Sequence, residues 1–199
     1  MKNKLLKRYE RKWVINNIDC NQVFILLLKS NFFFSYQYED RYVNSIYFDD
    51  QNFSSIRQNL DGISEKKKYR LRWYGKLSKI SNPVFEIKNK SSFEVFKENI
   101  DFSIVDGFNL FDIKDLKKIE ELVNTQFNFK NRIVPILTTH YLRSYFVSSN
   151  KLIRATVDRN LKSIKLYQNK NTSIINQYND IILELKYDLD LDDYVRDNF

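Results

Sequence analysis

In the stretch KKKYRLRWYG, which begins at Lys66, five cations fall within seven residues, interleaved with aromatic and aliphatic side chains. An extended backbone sends alternate side chains to opposite faces. Lys68, Arg70 and Arg72 then share one face, and Tyr69, Leu71 and Trp73 share the other. A row of three cations suits a ligand carrying several negative charges. The arginine fork makes paired, charge-assisted hydrogen bonds to phosphoryl oxygens, and lysine adds a compact charge.

The same alternation recurs along the chain. Arg8, Glu10 and Lys12 oppose Tyr9 and Trp13, with Arg11 as the exception, and Glu86, Lys88 and Lys90 oppose Phe85 and Ile87. Tyr141, Arg143 and Tyr145 oppose Leu142 and Phe146, while Arg154, Thr156 and Asp158 oppose Ile153, Ala155 and Val157. Glu184 and Lys186 oppose Leu183, Leu185 and Tyr187. An antiparallel sheet with one face on a core and one in water also alternates in this way. A solvated face, however, mixes Ser, Thr, Gln, Lys and Glu, whereas this one repeats Arg and Lys with isolated carboxylates. If the sheet closes, the charged faces line its interior, and crowded cations at low dielectric require a bound polyanion. The interrupting carboxylates either hold a hard cation or salt-bridge their neighbours. For Asp158 a turn position before Arg159 is a third option. His140 has no nucleophile beside it and reads as a packing or hydrogen-bonding residue.

The elements that must position these groups are mostly strands, read at 7–15, 42–50, 68–75, 83–90, 95–102, 136–149, 152–166 and 181–188. Three helical signals interrupt them. Asp19 caps a helix beginning near Asn21, Asp50 caps one that stops at Asp61-Gly62, and Leu116, Ile119, Leu122 and Val123 form the apolar stripe of a third. No linker, repeat or low-complexity tract divides the 199 residues, so a single domain over 1–199 is expected. A composition of 43% apolar residues with three Gly and two Pro indicates a globular chain of long, regular elements. The net charge of +8 favours an anionic partner. One cysteine excludes an intramolecular disulfide and a Cys-based zinc site. The longest aliphatic run, Val23–Leu28, is too short to span a membrane, and a cytoplasmic location is expected, with recruitment by a membrane partner the exception.

The motifs RYERKW, YVNSIYFDD, YRLRWYG, FEIKNK, YLRSYF, IRATVDRNL and LELKYD occur in that order over about residues 7–190. Together they resemble the VTC domain, the polyphosphate polymerase branch of the triphosphate tunnel metalloenzymes (the CYTH-like superfamily). The resemblance implies an α+β fold, an antiparallel β tunnel barrel with a few bracing helices. It implies phosphate-gripping roles for Lys12, Arg70, Arg72, Lys88, Arg143 and Arg154, and further contacts from Arg8 and Lys186. Lys90 joins them on alternation alone. Glu184 becomes the leading ligand for Mn²⁺ or Mg²⁺, with Glu10 beside it. The chain departs from the family in having no Ser-Lys pair after Lys186.

The implied activity is transfer of the ATP γ-phosphoryl group to a growing polyphosphate chain. Hydrolysis of triphosphate or short polyphosphate, and binding of polyphosphate without turnover, are the alternatives. Nucleic-acid binding is disfavoured, because it calls for cations on the outer surface.

Overall fold

The computed structural model describes residues 8–64, 66–90, 95–127, 129–166 and 174–199; the side chains of Arg8, Lys90, Val95 and Ile174 lie outside this description. The strands are β1 (Arg8–Ile15), β2 (Ser35–Asp50), β3 (Lys66–Tyr74), β4 (Val84–Lys90), β5 (Val95–Asp101), β6 (Ile133–Val147), β7 (Arg154–Lys165), β8 (Ile174–Tyr178) and β9 (Ile181–Asp188). The helices are α1 (Cys20–Lys29), α2 (Ser54–Leu60), α3 (Ile113–Phe127) and α4 (Asp192–Asn198). The eight expected strands and three expected helices are present. β2 begins seven residues before the expected Tyr42, and β8 and α4 are additional.

The chain packs into two compact units. The first comprises Met1–Arg41, Tyr141–Leu161 and Gln177–Phe199, and the second comprises Tyr42–His140 and Lys162–Asn176. Strands β2, β6, β7 and β8 contribute residues to both. Within the first unit the hydrogen-bonded order is β1-β9-β7-β6-β2, and within the second it is β6-β2-β3-β4-β5, with β8 paired to β7. The pairings β1–β9, β7–β9, β2–β3, β3–β4 and β4–β5 are all antiparallel.

In the first unit α1 lays Val23 and Leu27 on the sheet face formed by Phe146, Ala155, Val157, Leu183, Leu185 and Tyr187. That helix starts where Asp19 Oδ1 accepts the Asn21 N–H at 2.8 Å and Gln22 Oε1 accepts the Asp19 N–H at 3.3 Å, a reciprocal cap. Arg11 breaks the alternation of β1 because Asp192, at the start of α4, takes its guanidinium at 2.7 and 3.0 Å. The Tyr187 hydroxyl accepts from the Arg11 Nε at 2.6 Å.

In the second unit α3 covers Ile46, Phe48, Leu71, Trp73 and Phe85 with Ile119 and Val123. Leu116 and Leu122 pack partly buried at the margin, as the stripe predicts. The start of α2 is held by two neighbouring carboxylates. Asp50 Oδ1 accepts from the Ser54 N–H, and Asp49 accepts from the Ser55 and Ile56 N–H groups, each at 3.0 Å. These bonds satisfy the otherwise orphaned donors of a helix N-terminus and account for the burial of both aspartates.

In each unit the sheet therefore turns its apolar face to a helix and leaves its basic face for other work. Phe85 is fully buried and meets the rings of Phe48, Phe102, Phe127 and Phe129. Phe85→Ala removes that cluster's centre, and a loss of about 3–5 kcal/mol of unfolding free energy is expected in urea titrations.

Candidate functional site

Within the second unit the basic face is built across four strands. The register places Tyr47 of β2 opposite Arg70 of β3, and Arg70 opposite Glu86 of β4. Ser45 lies opposite Arg72, and Lys88 lies between Lys68 and Lys97. Glu86 is the centre. Its Oε2 accepts from Arg70 Nε, Lys97 Nζ reaches its Oε1 at 3.1 Å, and Arg72 Nη1 lies 3.6 Å away. The arginines are further held from β2: Tyr47 Oη accepts from Arg70 Nη1 at 3.5 Å, and Ser45 Oγ accepts from Arg72 Nε at 3.4 Å.

The electrostatics follow from this crowding. Burial pushes the Glu86 carboxyl up, but Arg70, Arg72 and Lys97 outweigh it and hold the group below the usual carboxylate range. Burial also pushes the Lys97 ammonium down, and it stays lowered because Arg70 and Arg72 add to that push against the pull of Glu86. Three cations around one carboxylate leave an excess positive charge on this face, which is what an anion needs.

Within the first unit a second buried carboxylate has the same kind of company. Glu184 of β9 is 4% exposed and lies in register with Lys12 of β1 and Thr156 of β7. Lys186 Nζ stands 3.0 Å and Lys12 Nζ 3.7 Å from its Oε1, and Arg143 Nη2 is 3.9 Å from its Oε2. Lys186 also reaches Glu10 at 3.6 Å, so the two carboxylates singled out as metal ligands share one lysine. Arg143 gives its fork to Asp158, Nε to Oδ1 at 2.6 Å and Nη2 to Oδ2 at 2.7 Å. Burial opposes the Arg143 charge, yet the bonds to Asp158 outweigh it and hold the guanidinium firmly protonated. Asp158 is thus an ion-pairing strand residue and not a turn. Arg154 is exposed on the same face, opposite Lys186.

The structure divides the expected site residues into two groups. Arg70, Arg72 and Lys88 belong to the second unit, and Lys12, Arg143, Arg154, Lys186, Glu184 and Glu10 to the first. For Arg8 and Lys90 only the backbone lies within the described residues. The sequence reading missed Lys97, Ser45 and Tyr47 as members of the site. Ser45 and Tyr47 alternate with Ile46 and Phe48, so a local signal existed. Lys97 becomes visible only once β4 and β5 are in register.

The group in the first unit that could hold a divalent ion is Glu184. Glu184 Oε1 is buried and has no well-directed hydrogen bond despite the nearby ammonium, and the Thr156 hydroxyl is likewise without one. Among the described residues no three His, Cys, Asp or Glu side chains converge. An ion here would use few protein ligands and complete its shell with water or ligand oxygens, as Mg²⁺ commonly does. His140 is elsewhere engaged: its Nδ1 meets Asn44 Oδ1 at 2.7 Å, its ring stacks on Tyr42 at 4.9 Å, and burial followed by the charge of Lys162 lowers its pKa.

Comparison with known proteins places these features. In an alignment 155 positions long that covers 63% of the chain, it is 28% identical to vacuolar transporter chaperone complex subunit 2 of Saccharomyces cerevisiae. That match spans only 19% of the yeast protein's length. A putative adenylate cyclase from Vibrio parahaemolyticus is similar in structure, with a TM-score of 0.51, 11% identity, and coverage of 96% of this chain and 80% of that one. A putative adenylyl cyclase from Hippeastrum, described as having a dominant triphosphatase activity, aligns with a TM-score of 0.50 and 13% identity over 94% of this chain and 82% of that one. These likenesses carry the fold, the α+β antiparallel tunnel type with bracing helices expected from the sequence. The VTC domain model matches residues 7–197, and the chain belongs to the VTC-domain family.

Proposed function

We propose that this chain is a polyphosphate polymerase, transferring the γ-phosphoryl group of ATP to a growing polyphosphate chain. The observation that carries the reading is the cluster around Glu86, where Arg70, Arg72 and Lys97 converge on one carboxylate with positive charge in excess. The family resemblance supplies the substrate class. Phosphoryl transfer asks a protein mainly for alignment and charge neutralisation. The acceptor, a phosphate chain end, is already an anionic nucleophile, so no histidine or serine base is required. Arg70 and Arg72 grip phosphoryl oxygens through guanidinium forks whose orientation Glu86, Tyr47 and Ser45 set. Lys12, Lys88, Lys97 and Lys186 add charge, and Arg154 and the remaining N–H groups of Arg143 extend the grip. Glu184, with Glu10 nearby through Lys186, would hold Mn²⁺ or Mg²⁺, and such an ion neutralises phosphate charge.

The yeast relative is a subunit of a vacuolar transporter chaperone complex, which supports a role for this chain within a larger assembly at a membrane. Among the described residues no helix is long and apolar enough to cross one. One family model spans 191 residues of both units, which supports their working as a single domain.

Incubation with ATP and Mn²⁺, followed by gel separation and polyphosphate staining, is expected to give a ladder. Arg70→Ala/Arg72→Ala is expected to lower its rate by on the order of 10²-fold or more. Release of orthophosphate without a ladder would identify a hydrolase, and polyphosphate binding without either product a binding module. For Glu184→Gln, the Mn²⁺ concentration giving half-maximal activity is expected to rise by about tenfold or more, read from a metal titration at saturating ATP.

A further inference from the structure

Tyr47 stands on the basic face of β2, half-buried, with Ser45 beside it on the same face. A phenol hydroxyl has one proton to donate and lone pairs to accept with. In Tyr47 the oxygen accepts from Arg70 Nη1, which fixes one side of the hydroxyl. Among the described residues nothing accepts its proton. The charged groups around it are Arg70, Arg72 and Lys68 of β3, and Glu86 of β4 reaches it through Arg70. A proton donor set among cations and facing no protein acceptor is complementary to an oxyanion. Ser45 differs, since it is fully buried behind Arg72 and serves only to hold it.

We propose that Tyr47 is a ligand-contacting residue whose phenolic O–H donates to a phosphoryl oxygen of the anion bound by Arg70 and Arg72, an inference that rests on the phosphate reading above. Arg70 is then shared by three oxygen ligands: Glu86, the Tyr47 oxygen and the phosphate. Tyr47 couples the arginine's position to the ligand's. The charges of Arg70, Arg72 and Lys68 outweigh burial and hold this phenol below the ordinary tyrosine range. Below its pKa the neutral phenol donates to the ligand; above it the phenolate repels the ligand and neutralises Arg70.

Calorimetric titration of the full chain with inorganic tripolyphosphate, for the native chain, Tyr47→Phe and Arg72→Ala, tests this. At about pH 7, Tyr47→Phe is expected to raise the dissociation constant by about tenfold, the value of a hydrogen bond to a charged group. Its melting temperature is expected to stay within about 2 °C of the native chain's, since the bond lost to Arg70 is a long one, at 3.5 Å, and the guanidinium keeps its pairing with Glu86. Toward about pH 10 the difference is expected to shrink and then reverse, with the Phe variant binding more tightly. In the native chain, tyrosinate absorbance is expected to show one phenol titrating early and moving to higher pH when tripolyphosphate is bound. Equal affinity of native chain and Tyr47→Phe at neutral pH, or parallel affinity curves across the range, would overturn the proposal while leaving the phosphate reading intact. No tripolyphosphate binding by the native chain, or no loss in Arg72→Ala, would overturn the phosphate reading itself.

Discussion

Everything in this protein's basic faces depends on a buried carboxylate placed inside a crowd of cations. Two unit charges about 4 Å apart interact by about 4 kcal/mol near a protein surface, so Arg70, Arg72 and Lys97 cannot be gathered on one face without an anion among them. Glu86 is that anion in the second unit. Glu184 and Asp158 share the task in the first, between Lys12, Lys186 and Arg143. In both units the carboxylates offset repulsion without cancelling the positive charge. The remainder is available to a ligand, and the guanidiniums are already oriented when it arrives.

That arrangement constrains the rest of the fold. A carboxylate such as Glu86 can be buried only if its cations arrive in register, and register holds only if the opposite face of each strand is pinned in a core. The two helices supply the pinning. α1 covers Leu183, Leu185, Ala155 and Val157, directly behind Glu184, Thr156 and Asp158. α3 covers Leu71, Trp73 and Phe85, directly behind Arg70, Arg72 and Glu86. The aromatic bulk of these strands thus serves the electrostatics on their other side. Arg11, the one cation on the apolar face of β1, is accommodated only because Asp192 and Tyr187 meet it there.

Much of the fold was legible in the amino-acid order because it rests on local rules. Period-two alternation identified the faces of β1, β3, β4, β6, β7 and β9, and Asp19 marked the start of α1 through capping chemistry, whereas α2 starts four residues after Asp50, with Phe53 and not Asp50 at its N-cap. Where the local signal was weak, elements were missed. Residues 35–41 continue β2 although they carry no aliphatic residue and Asp40 interrupts the alternation of Tyr36, Tyr38 and Tyr42, and α4 is too short and too acidic to announce itself. In the site, alternation placed Arg70, Arg72, Lys88, Arg143 and Glu184 on the correct faces. It left open whether each carboxylate was a metal ligand or a salt-bridge partner.

Face is a property of one strand's backbone, and the sequence by itself determined it, together with the excess of positive charge and the family likeness. Partnership is a property of two strands, and only the tertiary structure decided it. Lys97 meets Glu86 diagonally because β5 pairs with β4 in one register and not another, and a shift of one residue would have sent Lys97 to the far face. Asp158 became the partner of Arg143, and not a turn residue, because β7 runs unbroken past it beside β6. Tyr47 came to lie against Arg70 across a sequence separation of 23 positions. Register depends on turn geometry and on how two apolar faces pack under their helices, and neither is written in any single stretch of the chain.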